Sequence, residues 1–218
     1  MKRILCYGDS NTWGHDPTKT DPATGLYCRY PKDVRWTGVL QSELGGDYFV
    51  CEEGLCGRTT VFEDPTHYGW NGHQYFEVAF RTCDPVDCVI FMLGTNDTKD
   101  LFHASTLSIT MGMERLLRNC LDLKRNSLSG TAKVILACPL MPARAGDGTY
   151  WYDFSEESSE KIRQMHDSYK KLAEQLGCEF FDVNDVAKAD PADGIHMDAE
   201  SHRQVGMELA KLVRNILE

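Results

Sequence analysis

The sequence lacks any uninterrupted apolar run of about 20 residues, the length that a membrane-spanning helix needs. It also lacks an excess of basic side chains, since 33 acidic against 23 basic residues give a formal net charge of −10. A nucleic-acid partner would need a basic face for its phosphates. We therefore expect neither a membrane nor a nucleic-acid partner. The apolar start stops at Gly8, too soon for a secretory signal, which favours a cytoplasmic protein.

Paired cysteine motifs are missing as well. The chain has nine cysteines, an odd number at scattered spacings, and no Cys-x-x-Cys pair among them. Histidines do not cluster at the intervals typical of zinc sites. We expect reduced cysteines that act as small apolar residues, several of them in strands, and neither a metal site nor a cofactor.

Strand-like and helix-like segments alternate along the whole chain. Apolar runs predict strands over residues 2–7, 47–52, 86–93, 132–138 and 178–183. Helical spacing predicts helices over 34–44, 72–82, 106–124, 156–176 and 199–217. This alternation predicts a three-layer α/β/α sandwich around a five-stranded parallel sheet, with residues 1–218 as a single domain.

Two local expectations accompany this pattern. Residues 15–33 are rich in Pro, Thr, Asp and Gly and show no helix or strand period, which predicts a long loop that is functional or forms an interaction surface. In the helix over 106–124, the predicted inward stripe consists of Leu107, Met111, Leu116, Leu117 and Leu121.

Four polar stretches follow strands or a strand-like segment. They are Gly8-Asp9-Ser10, the loop around Gly57, Gly94-Thr95-Asn96-Asp97 and Asp193-Gly194-Ile195-His196. Because the carboxyl ends of parallel strands meet at one edge of a sheet, we expect these stretches to lie close together.

The residue types in these stretches suit acyl transfer. Ser10 would be the nucleophile, His196 the base that takes its proton, and Asp193 the group that fixes the imidazole tautomer. Each residue also has a plainer interpretation, as a helix cap, a surface histidine or a turn former. The same Asp-x-x-His spacing occurs at Asp64 and His67, so the spacing alone identifies nothing.

The tetrahedral intermediate of acyl transfer carries an oxyanion that needs preset hydrogen-bond donors. The candidates are the backbone N–H groups of Ser10 and Gly57 and the side-chain amide of Asn96. The plainer alternatives are that Gly57 serves backbone geometry and that Asn96 caps a helix.

Taken together, these blocks resemble the GDSL-type esterases of the SGNH-hydrolase superfamily. The four residues of that name match Ser10, Gly57, Asn96 and His196, with Asp193 as the family's acid. Three further blocks, residues 35–38, 53–60 and 92–99, resemble the arylesterase/acyltransferase branch. The resemblance implies a flavodoxin-like fold, hydrolysis of short-chain esters, acyl transfer to alcohols in some members, and a homo-oligomer.

The chain also departs from that branch. The leucine of GDSL is Asn11 here, which adds a polar group beside the nucleophile. The segment from Ala143 to Phe154 does not match the apolar, proline-rich loop of the branch. Four residues that flank the matching blocks are expected to line the substrate pocket, namely Trp13, Thr95, Lys99 and Ile195, and three aromatic residues to close it, namely Tyr150, Trp151 and Phe154.

Two other functions stay open at this point. One is a non-catalytic, flavodoxin-like module that binds a flavin or phosphate, although the stretch after Ser10 has few of the glycines that cradle phosphates. The other is a metal-dependent deacetylase that uses Asp9, Asp193 and His196.

Overall fold

Five parallel strands form the central sheet, as a computed structural model shows. The structure describes residues 1–21 and 23–218. Its strands are β1 (Lys2–Gly8), β2 (His15–Thr20), β3 (Tyr27–Arg29), β4 (Tyr48–Gly54), β5 (Cys88–Met92), β6 (Lys133–Cys138) and β7 (Glu179–Asp182). Its α-helices are α1 (Ser10–Trp13), α2 (Trp36–Leu44), α3 (Gly72–Cys83), α4 (Thr106–Arg125), α5 (Glu156–Leu176) and α6 (Ala199–Leu217). None of the described helices is both long enough and apolar enough to cross a membrane.

The central sheet has the strand order β4-β1-β5-β6-β7, and every pair in it is parallel. After β1 the chain crosses to one side to form β4 and then to the other side to form β5. The direction of winding therefore reverses at β1, and a crevice opens there at the carboxyl ends of the strands. This is the flavodoxin-like order, so the predicted fold class is confirmed.

Apolar side chains on the two faces of the sheet build two separate cores. Because successive strand residues point to opposite faces, Tyr7 packs with α3, α4 and α5, whereas its neighbour Cys6 packs with α2 and α6. The central strands are covered on both faces, and all five residues of β5 are buried. Three layers result, as the alternating sequence pattern predicts.

Helix ends lie close to the predicted positions. Ser105 caps α4, where its Oγ accepts the Ser108 N–H at 3.1 Å, and Asp198 caps α6 by accepting the Ser201 N–H at 2.6 Å. Gly177 ends α5 with a φ of +66°, a conformation that glycine adopts at little cost.

The predicted loop over 15–33 was wrong in part, because it contains the antiparallel hairpin β2–β3. Asp21 stabilises the turn of this hairpin, where its side chain accepts the N–H groups of Ala23 and Thr24. A two-stranded ribbon buries little of either face, so its sequence shows no alternation of apolar and polar residues. Pro22, which belongs to the same predicted loop, lies outside the described residues.

The predicted inward stripe of α4 was also wrong in part. Leu107 and Met111 are 70% and 60% exposed, whereas Leu116 and Leu117 are buried and Leu121 is half-buried. The buried stripe begins at Ile109 and continues through Met113 and Cys120. These positions recur at helical spacing on the face towards the sheet, and the two exposed residues lie on another face of the helix.

All nine cysteines are free thiols. Cys6, Cys88 and Cys138 are buried in strands, as predicted, whereas Cys51 in β4 is half-buried. Burial raises the pKa of the Cys88 thiol above its ordinary value, so this cysteine behaves as an apolar side chain.

Candidate active site

Ser10 lies at the carboxyl end of β1, on the single turn of helix α1. The side chain of Asp9 caps this turn by accepting the Asn11 N–H at 3.0 Å, and Gly14 ends it with a φ of +90°. The first N–H groups of a helix have no partner within that helix, so they face whatever lies before it. Both interpretations of the Asp9-Ser10 motif hold, because Asp9 forms the cap that places Ser10 at the edge of the sheet.

A continuous line of hydrogen bonds joins Ser10, His196 and Asp193. The Ser10 hydroxyl lies 2.9 Å from His196 Nε2, and His196 Nδ1 lies 2.6 Å from Asp193 Oδ2. All three side chains are buried. In this arrangement the Nδ1–H donates to the carboxylate, which leaves Nε2 as the acceptor for the serine hydroxyl. The structure thus brings the three predicted residues together.

Asp193 also shapes the turn that carries His196. Its Oδ1 accepts the backbone N–H groups of Ile195 at 2.8 Å and His196 at 3.0 Å. Burial raises the pKa of Asp193, but the hydrogen bonds from His196 and Ile195 outweigh it and hold this pKa below its ordinary value. The carboxylate is therefore ionised at neutral pH, as a partner of a transient imidazolium must be.

The three predicted oxyanion donors line one cavity together with His196. Gly57 follows β4 with a φ of +82°, and a Cβ there would lie 2.4 Å from the Trp70 ring. Asn96 follows β5 and donates one amide N–H to the carbonyl of Arg58 at 3.1 Å. The amide group has two N–H bonds, so the second is available to a bound ligand.

Buried charges outside the predicted set hold these loops together. Asp97 accepts the Thr60 N–H at 2.9 Å, which ties the loop after β5 to the loop after β4. Arg58 donates to the carbonyl of Gly8 at 2.8 Å and lies over the Tyr7 ring, 4.0 Å from its centroid. Burial raises the pKa of Asp97 to about 6. The sequence motifs place these residues beside the site without indicating this bracing role.

The cavity over the site has a volume of about 570 Å³. Of the residues predicted to line or close it, Thr95, Lys99, Ile195, Trp151 and Phe154 do so. Aromatic residues that the sequence analysis did not single out complete its wall, namely Tyr27, Trp70 and Tyr152.

Trp13 and Tyr150 are not among the lining residues. The Trp13 indole instead packs beneath the guanidinium of Arg29, 5.2 Å from the ring. The Tyr150 hydroxyl donates to Glu156 at 3.0 Å, which directs it towards the start of α5. The predictions that Trp13 binds substrate and that Tyr150 closes the pocket are therefore not supported by the geometry.

Lys99 reaches the cavity through a cluster of aromatic rings. Its Nζ lies 5.4 Å, 5.8 Å and 5.7 Å from the ring centroids of Trp70, Tyr152 and Phe154. The residue is only 6% exposed, and burial lowers the pKa of its ammonium. Lys99 therefore offers hydrogen-bond donors beside the aromatic rings of the wall.

His15 is a site residue that the sequence analysis did not identify. Its imidazole lies against that of His196 and beside the ring of Tyr27, with centroids 3.9 Å and 4.9 Å away. Burial, reinforced by the neighbouring His196, lowers the pKa of His15 to about 4. The sequence places His15 only five residues after the nucleophile, but nothing in the pattern indicates that the two imidazoles meet.

Among the described residues, one group of three could supply metal ligands: His15, Asp193 and His196, whose donor atoms lie within 4.8 Å of one another. Asp9, which the metal-dependent alternative requires, does not belong to it. The Asp9 carboxylate is instead directed to the backbone of α1.

A family model described as the GDSL-like lipase/acylhydrolase family matches residues 6–204, which include the end of β1, the other four strands of the central sheet and the whole site. No curated protein matches the sequence.

Solved structures similar to the whole chain include two esterases. The Mycobacterium smegmatis aryl esterase is 38% identical with a TM-score of 0.89, and 100% of each chain is covered. A carbohydrate acetylesterase from Sinorhizobium meliloti is 34% identical with a TM-score of 0.87, over 99% of this chain and 100% of that one. A lipase/acylhydrolase from Enterococcus faecalis, 15% identical with a TM-score of 0.70 over 100% and 98% of the two chains, shares the fold.

Proposed function

The chain belongs to the GDSL-like lipase/acylhydrolase family and is a carboxylic ester hydrolase, and we propose that it is a serine esterase for short acyl esters, of acetyl size, of aryl, alkyl or sugar alcohols. One observation carries the proposal. Ser10, His196 and Asp193 form an unbroken line of hydrogen bonds beside the oxyanion donors of Gly57 and Asn96.

Acylation would begin with attack of the Ser10 oxygen on the ester carbonyl carbon. His196 Nε2 takes the hydroxyl proton as the new C–O bond forms, and Asp193 stabilises the resulting imidazolium. The carbonyl oxygen becomes an oxyanion that accepts hydrogen bonds from the backbone of Ser10 and Gly57 and from the Asn96 amide. Collapse of this intermediate breaks the ester C–O bond, and the imidazolium gives its proton to the departing alcohol.

Deacylation repeats the sequence with water as the nucleophile. His196 takes a proton from the water as its oxygen attacks the acyl carbon, and the same donors hold the second oxyanion. When this intermediate collapses, the imidazolium returns the proton to Ser10 and the carboxylic acid leaves. Each turnover consumes one water and regenerates the free enzyme.

The preference for short acyl groups rests on the cavity and on the relatives. Rings of Trp70, Trp151 and Phe154 line the cavity that contains Ser10, and overfilling a packed site is costly. An aryl esterase and a carbohydrate acetylesterase are among the similar structures, which supports small acyl groups on varied alcohols.

The decisive experiment compares Ser10→Ala with the wild type on p-nitrophenyl acetate. We expect loss of about 10⁴-fold or more in kcat with an unchanged fold, because no other group forms the acyl-enzyme. Labelling of the wild type with a fluorophosphonate should add its mass at Ser10. Ser168→Ala, which removes an exposed hydroxyl from α5, is the control and should keep full activity. Wild-type turnover in Ser10→Ala, or a label on another residue, would refute the assignment.

The finer specificity can be measured on the same enzyme. We expect kcat/KM to fall steadily from acetyl to octanoyl p-nitrophenyl esters, and acetylated sugars to be hydrolysed. Acyl transfer is tested by adding an alcohol and measuring the ratio of ester to acid produced. A rate that rises with chain length would contradict the short-acyl proposal.

Family membership argues against the non-catalytic binding module. We also propose a cytoplasmic, homo-oligomeric protein. The free state of all nine thiols supports a reducing compartment. The exposed apolar side chains of Leu26 and Tyr27, on the β2–β3 hairpin, support an interface there, and the mass of the protein in solution would test it.

A further inference from the structure

Asn11 stands directly after the nucleophile, where the GDSL motif has leucine. Its carboxamide is buried and bonds to the backbone on both sides of His196. Oδ1 accepts the Met197 N–H at 2.9 Å, and Nδ2 donates to the Ile195 carbonyl at 3.4 Å. The peptide segment that carries the imidazole is thus bonded to the helix turn that carries Ser10.

His196 needs such an attachment because it lies on a loop and not on a strand or a helix. Within this loop, the Asp193 carboxylate accepts the backbone N–H groups of Ile195 and His196. The Asp190 N–H donates to the His196 carbonyl at 2.7 Å. These contacts order the loop internally. Besides the Ser10–His196 bond itself, the side chain of Asn11 links this loop to the helix turn that carries Ser10.

From this contact we propose that Asn11 is a positioning residue for His196, an inference that rests on the proposed esterase function. Since Ser10 and Asn11 are neighbours on one rigid turn, the amide fixes the separation of nucleophile and base through a single peptide unit. A leucine would fill similar space but could bond to neither the Met197 N–H nor the Ile195 carbonyl. Displacement of a catalytic group by about 1 Å can cost about 100-fold in rate.

The chain contains a matched control for these two bonds. Gln41 on α2 accepts the Val50 N–H at 2.8 Å and donates to the Tyr48 carbonyl at 3.0 Å. Its carboxamide therefore brackets Phe49 as Asn11 brackets His196. This contact lies at the amino end of β4, whereas the site lies at the carboxyl ends of the strands. Gln41→Leu removes the same kind of bond pair, together with a further bond from Gln41 to the Gly45 carbonyl at 3.2 Å, and leaves the site untouched.

The experiment compares Asn11→Leu and Gln41→Leu with the wild type in kcat, KM, melting temperature and rate of fluorophosphonate labelling. For Asn11→Leu we expect kcat to fall about 10- to 100-fold with KM within about twofold. The labelling rate should fall by a similar factor, because it depends on activation of Ser10 by His196. Gln41→Leu should lower the melting temperature and keep kcat within about twofold of the wild type.

A second variant guards against a folding defect. Asn11→Asp keeps the shape and the acceptor for Met197 but places an oxygen against the Ile195 carbonyl, so it should also lose kcat at neutral pH. The proposal is overturned if both Asn11 variants label and turn over at the wild-type rate, or if their loss lies in KM alone. If neither variant folds, Asn11 is needed for the fold itself, and the proposal is overturned as well. Failure of the esterase function itself would appear earlier, as a wild type that neither hydrolyses esters nor labels at Ser10.

Discussion

The imidazole of His15 lies nearly parallel to that of His196, with an angle of 23° between the ring planes. Trp151 also contacts His196, with the two rings edge-on and their centroids 5.8 Å apart. His196 thus contacts two rings, while Asp193 and Asn11 fix its Nδ1 and its backbone. Orientation of the base is therefore distributed over contacts from three parts of the chain.

Substitutions at His15 test whether the flat shape of its ring, and not its charge, supports catalysis. Because burial lowers the pKa of His15 to about 4, the ring is neutral above about pH 5 and contributes a flat surface without charge. We expect His15→Phe to keep kcat within about threefold of the wild type, and His15→Ala to lose about 10-fold. The pH–rate profiles of the wild type and His15→Phe should coincide between pH 5 and 9. An ionisation in that range that His15→Phe lacks would show that His15 carries a charge in the mechanism.

Asn96→Ala tests the side-chain oxyanion donor. Loss of one such donor costs about 10²- to 10³-fold in kcat in a measured case, and KM should change little because the interaction forms in the transition state. Steady-state kinetics on p-nitrophenyl acetate would measure both constants. Asn215→Ala, on the exposed side of α6, is the control. A kcat within about twofold of the wild type would remove Asn96 from the oxyanion site.

Gly57→Ala should destabilise the protein by two separable effects. A residue with a side chain in the left-handed region costs about 1–2 kcal/mol, and the new Cβ would also meet the Trp70 ring. Gly148 has a similar φ of +85°, but no heavy atom lies within 4 Å of the place that a Cβ would take there, so Gly148→Ala carries the backbone cost alone. Urea unfolding should show that Gly57→Ala loses more free energy of unfolding than Gly148→Ala, and kcat should fall for Gly57→Ala only. Equal losses of free energy in the two variants would mean that the Trp70 ring moves away from the new Cβ at no cost.

Much of this architecture could be predicted from sequence. Buried strands such as β5 are continuous apolar runs, and the helices α2 and α5 end at glycines, so element order and sheet type follow from local pattern. Residues that follow parallel strands must share one edge of the sheet, which is why the positions of Ser10 and Asn96 were predictable.

Other features depend on contacts between distant segments, which leave no local pattern. The stacking of His15 on His196 joins residues 181 positions apart in the chain. His15 lies on the β2–β3 hairpin, which the composition of residues 15–33 does not predict. Likewise, Trp13 flanks a matching motif, yet the guanidinium of Arg29 lies over its ring. Position after a parallel strand therefore identified catalytic candidates better than proximity to a matching motif identified the residues that line the cavity.

Asp9 provides a test of stability against pH. Its side chain is buried, and no donor among the described residues reaches its Oδ2, so burial raises its pKa to about 6 even though the Asn11 N–H bonds to Oδ1. An unfolded aspartate titrates near pH 3.9. Between about pH 4 and 6 the folded protein therefore binds more protons than the unfolded chain at this group, and its stability falls as the pH rises through that range.

Asp9→Asn should remove this dependence, because the amide keeps an acceptor for the Asn11 N–H and never ionises. A shift of about 2 units corresponds to about 3 kcal/mol. We expect the variant to match the wild type near pH 4 and to exceed its free energy of unfolding by about 2–3 kcal/mol at pH 8. Urea unfolding at five pH values between 4 and 8 measures the difference, with Asp33→Asn, an exposed carboxyl, as the control that should show none. A difference that stays constant across the range would mean that Asp9 is ionised in the fold at pH 4, with its charge compensated by groups around α1.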